Sequence, residues 1–268
     1  MSKVVSVHSF RGGTGKSNVT ANLATIIARS GQRVGIVDTD IQSPGIHVLF
    51  NLNEDKISYT LNDYLWGRCA IEDAAYDVTP LLKISHKGAG MRGSIYLIPS
   101  SIKTGEISRI LREGYDARLL NEGFHNLIRR LRLDYLFIDT HPGINEETLL
   151  SIILSNVLII ILRPDHQDYQ GTAVTVDVAR KLEVPKMLLV VNKALPTINF
   201  QALGQQMQKT YNTTVASILP VCEEMFQLGS SDVFSLRYPN HPWTHGVSAI
   251  AKHIVQNKLT SFWARNVI

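Results

Sequence analysis

The residues best suited to chemistry form a glycine-rich stretch near the N-terminus, from Phe10 to Ser17, with the sequence F-R-G-G-T-G-K-S. The apolar run 4–7 precedes it, and a run with helical character follows it from Asn18. Glycines let backbone N–H groups approach an anion closely and point inward around it. Lys16 carries a charge that can reach terminal phosphates, and the Ser17 hydroxyl can ligate Mg²⁺. A strand, a glycine turn and a helix N-terminus in this order predict a loop that binds nucleotide phosphates.

Carboxylates end two further predicted strands. Asp38 and Asp40 follow the apolar run 33–37, and Asp139 follows the run 135–138. Because residues two apart in a strand lie on the same side, Asp38 and Asp40 are expected to face the same way. Beside a Mg²⁺-nucleotide, one of them can hold a metal-bound water and the other can orient the attacking water, while Asp139 belongs in the second shell of the ion. The alternative is that Asp38 and Asp40 only cap the turn that follows them.

A third strand end carries Asn192 and Lys193, in the order V-V-N-K. This invites comparison with the guanine-reading sequence N-K-x-D of GTPases, whose Asp accepts hydrogen bonds from guanine. Leu195 occupies that fourth position and cannot accept them. Adenine lacks the donor pair, so the sequence favours ATP over GTP. The alternative for Asn192 is a strand-end residue that caps a turn.

Composition limits the class of protein. The chain has 268 residues, of which 44% are hydrophobic and 19% charged, which is typical of a folded globular protein. Its net charge of +4 permits nucleic acid or an anionic membrane as a partner without requiring either. Cys69 and Cys222 are far apart and show neither metal-ligand spacing nor a disulfide framework, which fits a reducing cytosol. We expect no signal peptide, and the most apolar stretch, 147–163, is too short to span a bilayer.

Strand and helix patterns alternate along the chain, which predicts an α/β fold with a mostly parallel, twisted sheet of about seven to eight strands and helices on both faces. We expect a single domain over residues 1–268. The predicted strands are Lys3–Ser9, Arg33–Val37, Ser94–Ile98, Tyr135–Ile138, Val157–Leu162, Met187–Val191 and Val215–Leu219. The predicted helices are Ser17–Ser30, a short one over Tyr59–Trp66, Asp116–Leu131, Glu146–Leu154, Tyr169–Leu182, Phe200–Tyr211 and one from Gly246.

The order of these motifs resembles the MinD/ParA family of P-loop ATPases. R-G-G-T-G-K-S is similar to the deviant Walker A motif of that family, usually K-G-G-x-G-K-[ST], with Arg11 at the signature lysine. The segment from Asp38 to Asp40 resembles switch I, and D-T-H-P-G from Asp139 resembles switch II, often D-T-P-P-G. His141 stands where a proline is frequent, and the sequence assigns it no role. The resemblance covers nearly the whole chain.

The resemblance implies a P-loop NTPase fold, ATP or ADP with Mg²⁺ as ligands, and slow, partner-stimulated hydrolysis of ATP. In the family the second Asp of switch I is the hydrolytic residue, a role that falls on Asp40, and contact with a Mg²⁺-bound water falls on Asp38. The catalytic residues are then Lys16, Asp40 and Arg11, and the metal residues are Ser17, Asp38 and Asp139. The implied nucleotide-binding residues are Gly12, Gly13, Thr14, Gly15, Lys16, Ser17, Asn18, Asn192, Pro220 and Val221.

The resemblance also implies partners. Two subunits would close over two nucleotides, with Arg11 of each reaching the phosphates of the other, and an activating protein would stimulate hydrolysis. Such a switch would position or partition a cargo on nonspecific DNA or on an anionic membrane, in the cytoplasm or at the periphery of membrane or nucleoid. The apolar, mildly basic residues 257–268 are either an amphipathic membrane anchor or a segment that docks on protein.

Other classes of function stay open. The main alternative is a nucleotide-sensing scaffold that does not hydrolyse ATP, with Phe10 and Arg11 as signs of lost catalysis. An Fe–S carrier is disfavoured because no close cysteine pair is present. The basic residues between Arg109 and Arg132 are interspersed with acidic ones and favour a solvated helical face over DNA binding. The basic stretch 86–93 is interpreted as an exposed connection, with a partner surface as the alternative.

Overall fold

A central sheet carries the fold in the computed structural model, which describes residues 2–82 and 93–255. Within these ranges eight strands pair in the order β3-β4-β2-β5-β1-β6-β7-β8. All neighbouring pairs are parallel except β3 with β4, so the predicted mostly parallel sheet is confirmed. The strands are β1 (Lys3–His8), β2 (Arg33–Asp38), β3 (Tyr76–Asp77), β4 (Ser94–Ile98), β5 (Tyr135–Asp139), β6 (Val157–Leu162), β7 (Met187–Ala194) and β8 (Val215–Pro220).

Helices cover both faces of the sheet, as the alternating pattern predicts. One hydrophobic cluster joins α1 and α11 to one face, and two others join α5 and α7–α8 to the opposite face. The helices in the described part are α1 (Lys16–Arg29), α2 (Ile46–Leu49), α3 (Leu61–Leu65), α4 (Thr104–Glu113), α5 (Arg118–Leu131), α6 (Glu146–Ile153), α7 (His166–Lys181), α8 (Phe200–Tyr211), α9 (Glu223–Leu228), α10 (Phe234–Arg237) and α11 (Pro242–Val255).

Helix α1, which follows the glycine loop, is largely buried. Leu23 and Ile27, one turn apart, are both fully buried in the core. Burying a side chain of this size stabilises the fold by ~1.5–3 kcal/mol. The helix ends where Ser30 and Gly31 donate backbone N–H groups to Ile27 and Ala28 carbonyls, with Gly31 at φ 95°. The loop at its start is therefore attached to a rigid part of the molecule.

Several element boundaries differ from the sequence prediction. Helix α7 starts three residues earlier than predicted because the Asp165 carboxylate accepts the Asp168 N–H at 2.9 Å as an N-cap. Helix α11 starts four residues earlier, since Pro242 tolerates the first helical position. Strand β3 and helix α4 were absent from the predicted elements. Strands β5 and β7 extend beyond the predicted ends, to Asp139 and Ala194.

The basic stretch from Arg109 to Arg132 lies on or beside the exposed surfaces of α4 and α5, and three of its six arginines pair with acidic residues. Arg109 bonds Glu113 at 3.0 Å and stacks over the ring of Trp66 at 3.8 Å. Arg118 pairs with Asp116 at 2.7 Å. These contacts support a solvated helical face. The remaining predictions for 86–92 and for the tail 257–268 lie outside the described residues, and within the described ones no helix is long and apolar enough to cross a bilayer.

Candidate functional site

The glycine loop connects β1 to α1 and has the backbone of an anion-binding turn. Gly13 and Gly15 have φ values of 75° and 92°, a left-handed region that glycine adopts without strain. A Cβ placed at Gly13 would meet nothing within 4 Å, so the space beside the loop is open. A Cβ at Gly15 would lie 2.6 Å from Asn192 Nδ2, so that position has no room for a side chain. The loop is therefore shaped for close approach of a phosphate group.

Lys16 and Ser17 begin α1 directly behind this loop. Lys16 is only 7% exposed, which is unusual for a lysine side chain. The first turn of a helix directs its free N–H groups and the positive end of its dipole toward the same space. Lysine, hydroxyl and backbone donors thus face one region, as the sequence predicts for a phosphate site.

Two carboxyl groups close the far side of this region. Asp38 and Asp139 are register partners at the ends of β2 and β5, and both are buried. Burial raises the pKa of Asp139 to about 6, against hydrogen bonds from Ser17 and Thr20 and the charge of Lys16. The Thr20 hydroxyl donates to Asp139 Oδ1 at 3.0 Å. A carboxylate that reaches the Ser17 hydroxyl can orient a metal ligand there.

Asp38 lies in a still less favourable place for a charge. Burial, together with the negative charges of Asp139 and Asp40, raises the pKa of Asp38 well above its ordinary value. The Asp40 and Gly45 N–H groups donate to its two oxygens at 3.1 and 3.2 Å and hold the carboxyl in place. Hard oxygen donors crowded in this way suit Mg²⁺, whose charge would relieve their repulsion. The residues present therefore fit the ion, and Ser17, Asp38 and Asp139 are the ones that could hold it or its waters.

Asp40 lies close to this pair, and its side chain is 13% exposed. Its Oδ1 accepts the Ser43 N–H at 3.2 Å and the Ser43 hydroxyl at 3.0 Å. The same oxygen lies 3.9 Å from His141 Nε2, in the turn after β5. Asp40 is thus fixed on a segment that follows β2 and faces the segment that follows β5. This is a place from which a carboxylate can orient a water near the phosphate site.

The predicted base-binding residues lie on the other side of the loop. Asn192 Nδ2 donates to the Thr14 carbonyl at 2.8 Å, and Lys193 Nζ donates to the Gly13 carbonyl at 2.8 Å. The indole N–H of Trp243 lies 3.5 Å from Asn192 Oδ1. The amide of Asn192 therefore holds the backbone of the glycine loop by a hydrogen bond, in addition to any contact with a base.

Pro220 and Val221 adjoin this end of β7. Pro220 is the register partner of Ala194, and the Val221 N–H donates to the Ala194 carbonyl at 2.9 Å. The two residues are thereby placed beside Ala194, two positions from Asn192. Asn18 lies in the first turn of α1, where its carbonyl accepts a hydrogen bond from Asn22 Nδ2 at 2.8 Å.

The side chain of Arg11 contacts helix α7 of the same chain. Its guanidinium donates to Gln167 Oε1 on α7 and lies 3.9 Å from Asp168 Oδ1. Asp168 is buried, and although burial acts to raise its pKa, hydrogen bonds from Arg163 hold the pKa below its ordinary value. Arg163 Nη2 bonds Asp168 Oδ1 at 3.0 Å. In this chain, Arg11 is therefore attached to α7.

Several residues of the site carried no usable signal in the sequence. Thr20 and Trp243 are ordinary helix residues, and only the contacts of Thr20 with Asp139 and of Trp243 with Asn192 reveal them. Lys193 was noted in the comparison with N-K-x-D, but nothing in the sequence indicates its bond to the Gly13 carbonyl. Asp168 has a partial signal because its spacing from Asp165 is that of a helix cap. Buried His8, whose Nδ1 lies 2.8 Å from the Thr140 hydroxyl, is hidden within an apolar strand pattern.

A glycine loop between β1 and α1, a buried lysine and carboxylates at two neighbouring strand ends define a P-loop nucleotide-binding protein. Residues 2–188 match the AAA domain family. The chain belongs to this family, and its relatives are MinD/ParA-like P-loop ATPases.

One relative is an uncharacterized ATP-binding protein of Methanocaldococcus jannaschii, 27% identical over 193 residues, which are 72% of this chain and 65% of that protein. This chain therefore matches somewhat less than two thirds of that relative's length. The MinD of Pyrococcus horikoshii complexed with Mg-ADP has a TM-score of 0.76 at 20% identity and covers 96% of this chain and 97% of its own. A ParA family ATPase of Chlorobium tepidum has a TM-score of 0.73 at 18% identity, covering 94% of this chain and 100% of its own. These structures confirm the predicted fold.

Proposed function

We propose that this protein binds ATP with Mg²⁺ and hydrolyses it to ADP and phosphate, slowly and under the control of a partner. The observation that carries the proposal is the buried pair Asp38 and Asp139 placed behind Ser17 and Lys16. Two crowded carboxyl groups beside a lysine and an open nest of N–H groups suit a cation bound with an anion. A Mg²⁺-nucleotide supplies both charges at once.

Each residue then has a definite task. The N–H groups of residues 12–17 and the ammonium of Lys16 bind the phosphates. Ser17 is the direct ligand of Mg²⁺, and Asp38 and Asp139 hold its surroundings. When bound, the ion neutralises charge on the phosphates and orients them. Asn192, Pro220 and Val221 line the adenine, and Asp40 orients the attacking water.

ATP would also control dimerisation. In the proposed cycle, Arg11 leaves α7 and reaches the phosphates of a second subunit, where its planar guanidinium can bond two oxygens. Relatives are named for septum-site determination, flagellum-site determination and plasmid partition. By analogy, this chain would position or partition a cargo as a single-domain cytoplasmic protein, on nonspecific DNA or on an anionic membrane.

A second candidate is a nucleotide-sensing scaffold without hydrolysis. The observation that favours it is the position of Arg11, which contacts Gln167 and Asp168 of its own chain. A residue held in this way would not complete a partner's site. ATP binding without phosphate release would then be the whole activity.

The test compares wild type with Lys16→Ala, Asp40→Ala and the exposed-lysine control Lys209→Ala. ATP and GTP binding are measured by titration calorimetry with and without Mg²⁺, phosphate release by a coupled assay, and mass by light scattering. Plasmid DNA and anionic vesicles are added as candidate activators. We expect Lys16→Ala to lose binding and Asp40→Ala to bind ATP but release phosphate at least ~10-fold more slowly. Binding without release under every condition would favour the scaffold, and absence of Mg²⁺-dependent ATP binding would refute both.

A further inference from the structure

His141 and Asp40 face each other on the segments that follow β5 and β2. His141 Nε2 lies 3.9 Å from Asp40 Oδ1. This separation is too long for a direct hydrogen bond, which needs ~2.7–3.2 Å. It is the separation at which a single water can bond both groups. The two side chains are 23% and 13% exposed, so solvent can reach the gap between them.

The backbone next to His141 decides which ring nitrogen carries the proton. His141 Nδ1 lies 2.6 Å from the Pro142 carbonyl oxygen. A carbonyl oxygen only accepts, so Nδ1 must be the N–H donor. In the neutral ring, Nε2 then presents a lone pair toward Asp40. Asp40 also presents only acceptors, so the pair needs a donor between them.

A water meets this requirement. With its oxygen ~2.8 Å from each acceptor, the two directions subtend about 90°, close to the angle between the O–H bonds of water. Both hydrogens are then engaged, and the oxygen lone pairs point away from Asp40 and His141. A water held through both hydrogens is oriented to attack with its oxygen.

Both acceptors are themselves held in place. Ser43 bonds Asp40 Oδ1 through its N–H and its hydroxyl, as described above. The turn that carries His141 is attached to β1, since the Thr140 hydroxyl donates to the Val7 carbonyl at 3.0 Å and the Gly143 N–H to the Ser9 carbonyl at 3.2 Å. The gap between His141 and Asp40 therefore lies between two segments that hydrogen bonds hold in place.

We propose that His141 is a water-positioning residue that shares the hydrolytic water with Asp40, an inference that rests on the proposed ATP hydrolysis. The water oxygen forms the new bond to the γ-phosphorus. The bond from that phosphorus to the bridging oxygen breaks, and its electron pair leaves on ADP. One proton of the water passes to Asp40, while the other stays on the oxygen, now part of the phosphate, and remains hydrogen-bonded to His141 Nε2.

The test uses His141→Ala, His141→Gln and the control His125→Ala, an exposed histidine of α5 whose Nδ1 lies 2.8 Å from the Asn121 carbonyl of the same helix. We expect His141→Ala to lower kcat for ATP at least ~10-fold while KM and ATP affinity change less than ~2-fold. His141→Gln should recover part of kcat because its amide oxygen can accept from the water. His125→Ala should match wild type.

A double variant separates positioning from folding. Because both residues act on one water, Asp40→Ala with His141→Ala should be no slower than Asp40→Ala alone. Thermal melting of each variant checks the fold. An unchanged kcat in a folded His141→Ala, or a double variant in which the two losses multiply, would overturn the role of His141 and leave hydrolysis intact. A wild type that binds ATP but never releases phosphate would instead overturn the proposed hydrolysis and this inference with it.

Discussion

Asp38 and Asp139 stand opposite each other as register partners at the ends of two adjacent parallel strands, and both are at most 1% exposed. Such a pair is costly without a cation, because burial and mutual repulsion both disfavour the charged forms. The raised pKa values of the two carboxyl groups express that cost. A cation bound beside the two carboxyl groups would compensate this cost.

Asp139→Asn should remove part of this cost and with it the response to Mg²⁺. The folded pKa of Asp139, about 6, lies above its ordinary 3.8, so its contribution to stability is lost as pH rises from about 4 to 6. Relative to wild type, the variant should therefore gain free energy of unfolding over that window. Urea denaturation from pH 4 to 7.5 measures this. ATP affinity should also depend less strongly on Mg²⁺, since Ser17 and Asp38 remain; a variant that keeps the full wild-type Mg²⁺ dependence would contradict the assignment.

The pKa shift of His8 changes stability with pH in the opposite direction to that of Asp139. Burial, with the nearby charge of Lys16, lowers the pKa of His8 from 6.5 to about 3. Between these values the unfolded chain binds the proton and the folded chain does not, so stability falls as pH drops from 6.5. This contribution amounts to about 2–3 kcal/mol between pH 6.5 and 4.5. His8→Gln should flatten the dependence in that range, whatever its stability at pH 7, and an unchanged slope in urea melts would rule the mechanism out.

Much of this architecture can be predicted from the pattern of residue types along the sequence. The strands buried on both faces are continuous apolar runs, and a carboxylate just after such a run is placed at the ligand-binding edge of the sheet. For that reason Asp38, Asp139 and the loop from Gly12 to Ser17 could be predicted together. Strand β3 escaped prediction because two residues of an antiparallel edge strand leave no periodic signal.

Contacts between distant segments could not be predicted in the same way. The bond from Lys193 to the Gly13 carbonyl joins residues 180 positions apart, and no local pattern at either end requires it. The attachment of Arg11 to α7 depends on its contacts with Gln167 and Asp168, and the only pattern that Asp168 shows in the sequence is its cap spacing from Asp165. The water-sized gap between His141 and Asp40 is likewise a product of tertiary packing.

Gly15→Ala tests the close contact between the loop and β7. The substitution places a Cβ 2.6 Å from Asn192 Nδ2 and adds strain at φ 92°. Gly67→Ala is the matched control, since it has φ 68° and nothing within 4 Å. Both should lose ~1–2 kcal/mol through backbone strain. Gly15→Ala alone should also lose ATP affinity, by at least ~10-fold or ~1.4 kcal/mol, in titration calorimetry. Equal ATP affinity in the two variants would show that the contact does not shape the site.

Leu195→Asp tests the choice of base. The side chain at this position is exposed after β7, so a carboxylate can be added without disturbing the core. Wild type should bind ATP more tightly than GTP because nothing at position 195 accepts from guanine. In Leu195→Asp, the ratio of GTP to ATP affinity should rise severalfold, with Leu195→Asn as the uncharged control. A wild type that binds both nucleotides equally would refute the prediction that Leu195 favours adenine.

Gln167→Ala should release Arg11 for the proposed role between subunits. Gln167 accepts from the Arg11 guanidinium, whereas exposed Gln170 lies one turn further along α7 and serves as the control. If Arg11 must leave α7 to reach a second subunit, Gln167→Ala should dimerise at lower protein concentration with a non-hydrolysable ATP analogue, while Gln170→Ala behaves as wild type. Arg11→Ala should keep ATP binding and lose the dimer or its hydrolysis. Light scattering and sedimentation velocity measure both. An Arg11→Ala protein with wild-type oligomer size and phosphate release would show that Arg11 acts only within its own chain.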